Sequence, residues 1–299
     1  MLAVAVSTDA CMAPLGPLRV VHATSGLLFV NKPPSMEFHS REGTLGVLPR
    51  LRQMQADGLL PYTGPLFSVH RLDAVTSGLL MVAKSREAAV EVGALLRERR
   101  LQKYYVALSA KPPSKRQGRV RGDMARSRRG QWMLTRSMSN PSLTHFVSSP
   151  LAHTEGGGSK LFAFVLKPST GRTHQLRRVV LKSLGAPLLG DPRYAAATAK
   201  SEERAYLHAA ALRLPSGIDA LATSDEQLDV ICPPDCGAAF MSDEFRQWWN
   251  STFAHCMEED REERKELLHP AIPMRSAWFE GTPVQSYPPR LTVDIGTHL

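Results

Sequence analysis

One carboxylate in this 299-residue sequence has neighbours that suit chemistry. Asp73 follows the basic pair His70 and Arg71, begins a polar turn over residues 73–78, and is followed by the apolar run 79–83. A turn that leads into a buried strand can hold one carboxylate rigidly at the edge of a sheet. Because aspartate in a turn is more often a structural cap than a catalyst, this segment alone leaves both roles open.

A second cluster of polar residues lies in the segment 171–178. Its candidate binding residues are Arg172, His174, Gln175 and Arg177. The sequence predicts a helix over 172–183, and free backbone N–H groups at the start of a helix favour phosphate. The segment therefore predicts contact with a polyanion, with an ordinary basic first turn as the alternative.

Sequence motifs for redox, ATP or metal chemistry are missing. The chain has no Gly-x-Gly-x-x-Gly motif, and residues 156–160 lack the spacing of a phosphate loop. Cys232 and Cys236 are four residues apart, but only His255 and Cys256 could complete a zinc site, at a poor spacing. We therefore expect no cofactor and no metal.

The charge of the chain favours nucleic acid as a partner. The net charge is +9 with a pI of about 9.6, which suits a polyanion. Residues 97–136 contain thirteen Lys or Arg and two acids, a net of +11. We expect Arg126, Arg128 and Arg129 in this run to bind RNA, and a solvated surface loop is the alternative. The apolar runs are too short to cross a membrane.

Short strands with interspersed helices are expected to position these residues. Predicted strands or extended segments cover 18–22, 26–31, 68–72, 79–83, 103–108, 143–148, 161–167 and 227–231. Predicted helices cover 45–57, 86–99 with Ser85 as N-cap, 172–183 and 242–251, and a short helix leads into a strand within 202–214. Without regular βαβ alternation, these elements indicate an α+β fold.

Composition divides the chain into three parts. Residues 1–17 are an N-terminal extension, and residues 18–252 form one domain with a basic insert at 111–140, expected to be a loop or an irregular hairpin. Residues 253–299 are expected to be a charged helix followed by a Pro-rich tail.

Both clusters resemble motifs of the RluA-type pseudouridine synthases. That family has His-Arg-Leu-Asp-x-x-Thr-Ser-Gly-Leu-Leu followed by Ala-Lys, which residues 70–84 match. It later has Gly-Arg-x-His-Gln-Leu/Ile-Arg and Leu-Gly-x-Pro-Ile-x-Gly-Asp-x-x-Tyr, which residues 171–177 and 184–194 resemble. Shorter family motifs occur in the same order at Asn31-Lys32-Pro33, Lys103-Tyr104-Tyr105, Thr144-His145-Phe146 and Leu207-His208-Ala209.

The resemblance implies a fold, a reaction and a set of site residues. It implies a mixed, mostly antiparallel sheet with flanking helices and a central RNA-binding cleft. It implies isomerisation of uridine to pseudouridine in ribosomal or transfer RNA, without a cofactor. The implied catalytic residues are Asp73, Tyr105 and Arg177, with Leu207 in the pocket and with His70, Arg71, Arg172, His174 and Gln175 contacting RNA.

The sequence is also compatible with other roles. Family members often add an N-terminal S4-type RNA-binding domain, and residues before 18 are too few for one. The alternative function is an RNA-binding ribosome-assembly factor with little or no catalysis, and the tail after 253 is a candidate surface for ribosomal or assembly proteins. A protein-only interaction module is a third reading, against which the basic run argues. We expect an intracellular protein, in the mitochondrial matrix or alternatively in the cytosol or nucleus.

Overall fold

The computed structural model describes residues 16–41, 43–127, 131–135, 137–151, 161–221, 227–268 and 293–294. Its strands are β1 (Arg19–Ala23), β2 (Leu27–Lys32), β3 (Phe67–Ser68), β4 (Ser77–Ala83), β5 (Gln102–Ser109), β6 (Gln117–Gly122), β7 (Met124–Arg126), β8 (Trp132–Leu134), β9 (Ser142–Pro150), β10 (Phe162–Pro168), β11 (Leu207–Leu214), β12 (Leu228–Ile231) and β13 (Val293–Asp294).

Eleven of these strands form one mixed sheet. Its main order is β1-β2-β4-β11-β5-β10-β9-β6-β13, while β12 pairs with β11 and β3 with β4. Most pairs are antiparallel, but β4 and β11 run parallel, with His208 opposite Ser77 and Ala209 opposite Gly78. The beginnings of two strands distant in sequence therefore meet in the middle of the sheet.

The helices lie beside this sheet. They are α1 (Val47–Ala56), α2 (Arg86–Arg97), Gln175–Lys182, Ala196–Ala199, Asp243–Trp248, Trp249–Phe253 and Ala254–Leu268. The hydroxyl of Ser85 accepts the N–H of Ala88 at 3.1 Å, as predicted for an N-cap. Within the described ranges, no helix has the length and apolar character needed to span a bilayer.

Strand alternation on β5 separates the two faces of the sheet. Tyr104, Val106 and Leu108 pack on one face, against aromatic residues of the helices after residue 242. Tyr105 and Ala107 point to the other face, where Leu176 and Leu207 complete a different core cluster. Tyr105 is thus placed on the face that carries the Gln175–Lys182 helix.

The basic insert differs from the loop or irregular hairpin that we expected. Residues 117–122 form β6, a strand of the main sheet paired with β9, and only β7 and β8 form a separate hairpin. Val120 is buried while Arg119 and Arg121 are exposed. β6 lies near the edge of the sheet and buries only one large apolar side chain, Val120. The low apolar content of this segment therefore did not predict a strand.

Two predicted helices also begin elsewhere. The helix expected from residue 172 starts at Gln175, because His174 has a left-handed φ of 57° and the Gln175 side chain accepts the N–H of Arg172 at 3.0 Å. The short helix expected from residue 202 covers Ala196–Ala199 instead, and β11 starts at residue 207.

The boundary expected at residue 252 falls inside a continuous helical run. Phe253, Cys256 and Met257 are buried in the same core cluster as Tyr104. Asp260 is 1% exposed and pairs with Lys167 and Arg213, which lie on β10 and β11. The helix Ala254–Leu268 therefore belongs to the domain at least through residue 260, whereas residues 269–292 of the predicted tail lie outside the described chain.

Removal of the Asp260 carboxylate should destabilise the fold strongly. Asp260→Ala would leave Lys167 and Arg213 without this partner in a buried setting, and breaking a buried pair costs about 3–5 kcal/mol. Urea unfolding followed by circular dichroism measures the loss. Asp243→Ala is the control because its ion pair with Arg246 is solvent-exposed, and equal losses for the two variants would contradict the prediction.

Candidate active site

A cavity of about 390 Å³ opens where β4 and β11 begin. Nine of the twelve predicted site residues line it, namely His70, Arg71, Asp73, Tyr105, Arg172, His174, Gln175, Arg177 and Leu207. Arg126 lies outside its lining, and Arg128 and Arg129 lie outside the described residues. The two clusters, which lie about a hundred positions apart in sequence, thus meet in one cavity, as expected if they form one site.

The turn that carries Asp73 is stabilised by hydrogen bonds to its backbone. The Asp73 carbonyl accepts the N–H of Thr76 at 3.0 Å, which closes the turn. The ammonium of Lys32 is fully buried and donates to the carbonyls of Ala74, Pro33 and Met36 at 2.8–3.0 Å. Burial and then the charge of Arg204 lower the pKa of Lys32 to about 7. Lys32 therefore anchors the turn through backbone groups.

Gly78 lets the turn enter the parallel pair with β11. Its φ is 104°, and a Cβ at this position would lie 2.3 Å from the carbonyl oxygen of Ala209. A larger residue would force the two strands apart. The glycine of the Thr-Ser-Gly motif is thus required for close approach of the strand that carries Leu207.

Arg177 connects two carboxylates. Its Nε and Nη2 donate to Asp191 at 2.7 and 2.9 Å, and its Nη1 donates to Asp73 at 3.1 Å. Arg177 is 4% exposed and Asp191 is fully buried. The backbone N–H groups of Arg193 and Tyr194 also donate to Asp191, which completes its hydrogen bonding. Arg177 is therefore fixed by Asp191 and presents one N–H edge to Asp73.

The two carboxylates keep Arg177 charged. Burial opposes the charge on both Arg177 and Asp191, but their mutual hydrogen bonds outweigh it, so the pKa of Arg177 is raised and that of Asp191 is lowered. One positive charge is shared by two negative charges at this centre. Among the described residues, Arg177 makes the one ion pair of Asp73 that is also a hydrogen bond, and the Asp73 side chain is 21% exposed.

His174 and Tyr194 border the same ion pair. His174 Nδ1 lies 2.9 Å from the Tyr194 hydroxyl, and its Nε2 lies 3.9 Å from Asp73. Burial lowers the pKa of His174, an effect that the charge of Asp73 only partly offsets. The ring is therefore neutral near pH 7, and the 3.9 Å contact is not a full ion pair. The guanidinium of Arg177 also lies over the Tyr194 ring, 5.4 Å from its centroid.

Tyr105 and Leu207 are two of the apolar side chains that line the cavity. Tyr105 is partly buried on β5, and Leu207 begins β11 opposite Ala107. Burial, together with the negative charge of Asp73, raises the pKa of the Tyr105 hydroxyl. The phenol therefore remains protonated across the physiological range, and the side chain is one of those that line the cavity.

Gln175 and His70 both line the cavity and make internal hydrogen bonds, and the expectation that they bind RNA stays a prediction. The Gln175 amide donates to Leu143 and Thr144 and accepts from Thr170 and Arg172, so all its hydrogen-bonding capacity is used. His70 Nε2 accepts the N–H of Met81 at 3.0 Å. Burial lowers the pKa of His70 to about 3, so it is a neutral support for the turn.

Five residues at or beside the cavity were not singled out as site residues from the sequence. They are Lys32, Arg97, Lys103, Asp191 and Tyr194. Four of them stand inside quoted family motifs or at their ends, so motif membership was a usable signal for these. Arg97 lies at the end of α2, and only the fold brings it to the cavity.

The basic run 97–136 is divided by the sheet and does not form one patch. Arg97 and Lys103 line the cavity. Arg119 and Arg121 alternate with Val120, which packs in the core on the cavity side, so their side chains leave from the opposite face. Arg126 is exposed on the β7–β8 hairpin, its guanidinium 5.7 Å from the Trp132 ring centroid.

The hairpin reaches the cavity rim through Tyr194. The Trp132 N–H donates to the Tyr194 hydroxyl at 3.2 Å, and that hydroxyl also contacts His174. A basic segment is thus attached directly to the loop that fixes Arg177. In the described part of the chain, no group of three His, Cys, Asp or Glu side chains is placed to hold a metal ion.

Comparison with known proteins decides the family. The sequence profile described as RNA pseudouridylate synthase matches residues 26–182, about half of the chain. This chain belongs to the RNA pseudouridylate synthase family. The predictions of an RluA-type family, of its α+β fold and of an RNA pseudouridine synthase among the isomerases are thereby confirmed.

Individual relatives agree with this membership. An uncharacterized RNA pseudouridine synthase of Haemophilus influenzae is 40% identical over 195 residues, covering 65% of this chain and 81% of that protein. Ribosomal large subunit pseudouridine synthase C of Buchnera aphidicola is 31% identical over 58% of this chain, which spans about half, 53%, of that relative. The solved structure of human RNA pseudouridylate synthase domain containing 1 superposes with a TM-score of 0.57, at 28% identity, over 75% of this chain and 86% of that one.

The two carboxylates beside Arg177 should differ in their effect on stability. Asp191→Asn should lower the free energy of unfolding by about 3 kcal/mol, because it breaks a buried, doubly hydrogen-bonded pair. Asp73→Asn should change it by no more than about 1 kcal/mol, because Asp73 is partly exposed and Arg177 keeps Asp191. Urea unfolding at pH 7 measures both values.

The pH dependence of the Asp191 effect provides its control. The pKa of Asp191 is lowered in the folded protein, so its stabilisation is present above the unfolded-state pKa and is lost as the pH falls through the folded-state value. The stability difference between wild type and Asp191→Asn should therefore shrink in acid. A larger loss for Asp73→Asn than for Asp191→Asn would contradict the assignment of Arg177 to Asp191.

Proposed function

We propose that this chain isomerises uridine to pseudouridine in RNA, with Asp73 as the catalytic carboxylate. The observation that carries the proposal is the 3.1 Å ion pair of Asp73 with Arg177 inside a cavity bordered by Tyr105 and Leu207. An aspartate that reacts must be ionised in a partly dry site, where desolvation favours its neutral form. A guanidinium cannot lose its proton at neutral pH, and it favours the ionised carboxylate.

The reaction needs a carboxylate, a space in which the base can turn and no redox partner. The N1–C1′ bond of uridine breaks, the base rotates, and C5 bonds to C1′. The C5 hydrogen leaves as a proton and N1 gains one, so atoms and electrons balance within the nucleotide and exchanged protons. Asp73 can begin this by attack on the sugar, by attack on the base or by removal of a sugar proton, and each route requires the ionised form.

Tyr105 and Leu207 are proposed to hold the uracil during its rotation. An aromatic face and an aliphatic side chain contact the ring without fixing its orientation by hydrogen bonds. The Tyr105 hydroxyl, which stays protonated, remains available as a donor to Asp73 or to the base. Arg177 is proposed to orient Asp73 through the 3.1 Å hydrogen bond, because Asp191 prevents the guanidinium from turning away.

The target nucleotide must leave its stack to reach this cavity. Extrusion costs a few kcal/mol, roughly, and contacts with flanking phosphates can offset that cost. Arg71 and Arg172 are exposed at the cavity rim and are proposed to supply such contacts. Arg126, together with Arg128 and Arg129 that follow it in sequence, is proposed to extend these contacts along the RNA, since the hairpin that carries Arg126 adjoins Tyr194.

For the RNA class we propose ribosomal RNA, with transfer RNA as the alternative. The support is that relatives such as the Buchnera aphidicola enzyme are named as acting on the ribosomal large subunit. For the compartment we propose the mitochondrial matrix, with the cytosol and nucleus as alternatives that imaging of a tagged chain would separate. Maps of modified uridines in RNA from cells with and without this protein test the function and identify the RNA.

Loss of the Asp73 carboxylate should abolish isomerisation while RNA binding persists. Asp73→Asn keeps the shape of the side chain but removes the charge that each route needs, so pseudouridine formation should fall at least a thousandfold. Formation is measured by release of tritium from RNA labelled at uracil C5. Asp57→Asn, at the end of α1 and outside the cavity lining, is the control. Substantial turnover by purified Asp73→Asn protein would refute the assignment.

Neutralisation of Arg126, Arg128 and Arg129 should weaken RNA binding and its dependence on salt. The triple variant Arg126→Gln, Arg128→Gln, Arg129→Gln removes cations that the proposal places on phosphates, each contributing about 0.7–0.9 to the log–log salt slope. Titration of RNA at several salt concentrations measures that slope. Arg119→Gln, Arg121→Gln on the opposite face of the sheet is the comparison, and an unchanged slope in the triple variant would place the binding surface elsewhere.

A further inference from the structure

Lys103 is a cation of the cavity to which the proposed reaction assigns no role. It lies on β5 two residues before Tyr105, so both side chains leave the strand on the same face. It lines the cavity and is partly buried. Among the described residues, its ammonium makes no ion pair with an acid and no side-chain hydrogen bond.

Other buried cations of this chain have partners. Lys32 donates to three carbonyls, Lys167 pairs with Asp260, and Arg213 pairs with Asp229 and Asp260. Such partners repay the cost of removing a charge from water. Burial lowers the pKa of Lys103, in line with a partly desolvated ammonium that no acid compensates. The side chain is therefore prepared for a negative partner that comes from outside the chain.

The charges around Lys103 identify the sign of that partner. Arg71, Arg97 and Arg172 line the same cavity, and the guanidinium of Arg172 also donates to Asn140. Asp73 is the one carboxylate among the lining residues, and Arg177 already pairs with it. The side of the cavity near Lys103 is thus positive without an internal counter-charge, which favours an anion.

The ammonium of Lys103 lies beside an exposed segment of backbone. A Cβ added to Gly171 would lie 3.5 Å from the Lys103 ammonium, so the ammonium sits directly beside the segment 170–173. Gly171, Arg172 and Thr173 are exposed. Alternate residues of a strand are about 7 Å apart, a separation that one nucleotide can span between its base and its phosphate.

We propose that Lys103 binds a phosphodiester of the RNA strand next to the uridine that Tyr105 contacts. The contact ties the extruded nucleotide to β5 at two points, with its base on Tyr105 and its backbone on Lys103. This inference rests on the proposed function, because it takes RNA as the ligand. It assigns a specific phosphate contact to the inner wall of the cavity, in addition to the exposed arginines at its rim.

The test compares Lys103→Met with Lys103→Arg and with Lys111→Met, all in the full chain carrying Asp73→Asn so that no turnover occurs. Methionine keeps the length and removes the charge, whereas arginine restores it. Lys111→Met removes the same charge from the same basic run at an exposed position outside the cavity lining. Thermal unfolding of each variant verifies that it is folded. The probe is a short single-stranded oligouridylate, titrated at several salt concentrations.

We expect Lys103→Met to weaken binding several-fold and to reduce the salt slope by about 0.7, the value for one phosphate on a single strand. Lys103→Arg and Lys111→Met should keep the wild-type slope. Oligouridylates with one neutral methylphosphonate linkage locate the contact. One linkage position should weaken binding to the lysine protein and cause no further loss in Lys103→Met.

The possible contrary results separate this inference from the proposed function. If oligouridylate binds but Lys103→Met retains the slope, or if Lys111→Met loses as much, the phosphate contact is wrong and the proposed function stands. If inorganic phosphate does not displace oligouridylate at the same ionic strength, and a methylphosphonate weakens binding equally at every linkage, the contact is not specific. The inference then fails as well. If the protein with Lys103 binds no oligouridylate, the phosphate contact is overturned, and the tritium release assay decides the proposed function separately.

Discussion

A guanidinium shared between two carboxylates is the interaction on which the site depends. Asp191 accepts N–H groups of Nε and Nη2 of Arg177, and Nη1 of the same guanidinium donates to Asp73. The order of this arrangement matters, because the fully buried Asp191 fixes the arginine, and the arginine then fixes the partly exposed Asp73. Because Asp191 fixes the arginine, Asp73 can stay partly exposed and accessible from the cavity.

The sheet topology brings Asp73, Tyr105 and Leu207 together. Asp73 precedes β4, Leu207 begins β11, and the parallel pairing of these strands places both at one point of the sheet. Tyr105 reaches the same point because β5 pairs with β11, with Tyr105 opposite Ala209. Gly78 permits the close contact of β4 with β11, and the buried Lys32 holds the preceding turn. The strands themselves therefore provide the rigidity of the cavity.

The opposite face of the sheet supports this arrangement. Tyr104, adjacent to Tyr105 in sequence, packs against the helices after residue 242, and its hydroxyl bonds to Asp260. Lys167 and Arg213 join the same carboxylate from β10 and β11. Asp260 of the helix Ala254–Leu268 thus contacts three central strands, β5, β10 and β11. This charged segment of the sequence therefore has a structural role.

The sequence by itself determined the family, the α+β class, most of the strands and the residues Asp73, Tyr105, Arg177 and Leu207 as one group, because local patterns and ordered motifs record them directly. Tertiary structure alone decided how charges are partnered. It gave Gln175 and His70 internal hydrogen-bond partners, divided the described part of the basic run between two faces, placed β6 in the sheet, and left Lys103 without an acid among the described residues. The reason is that hydrogen-bond saturation and burial depend on segments far apart in the chain, whose spatial neighbours no local pattern specifies.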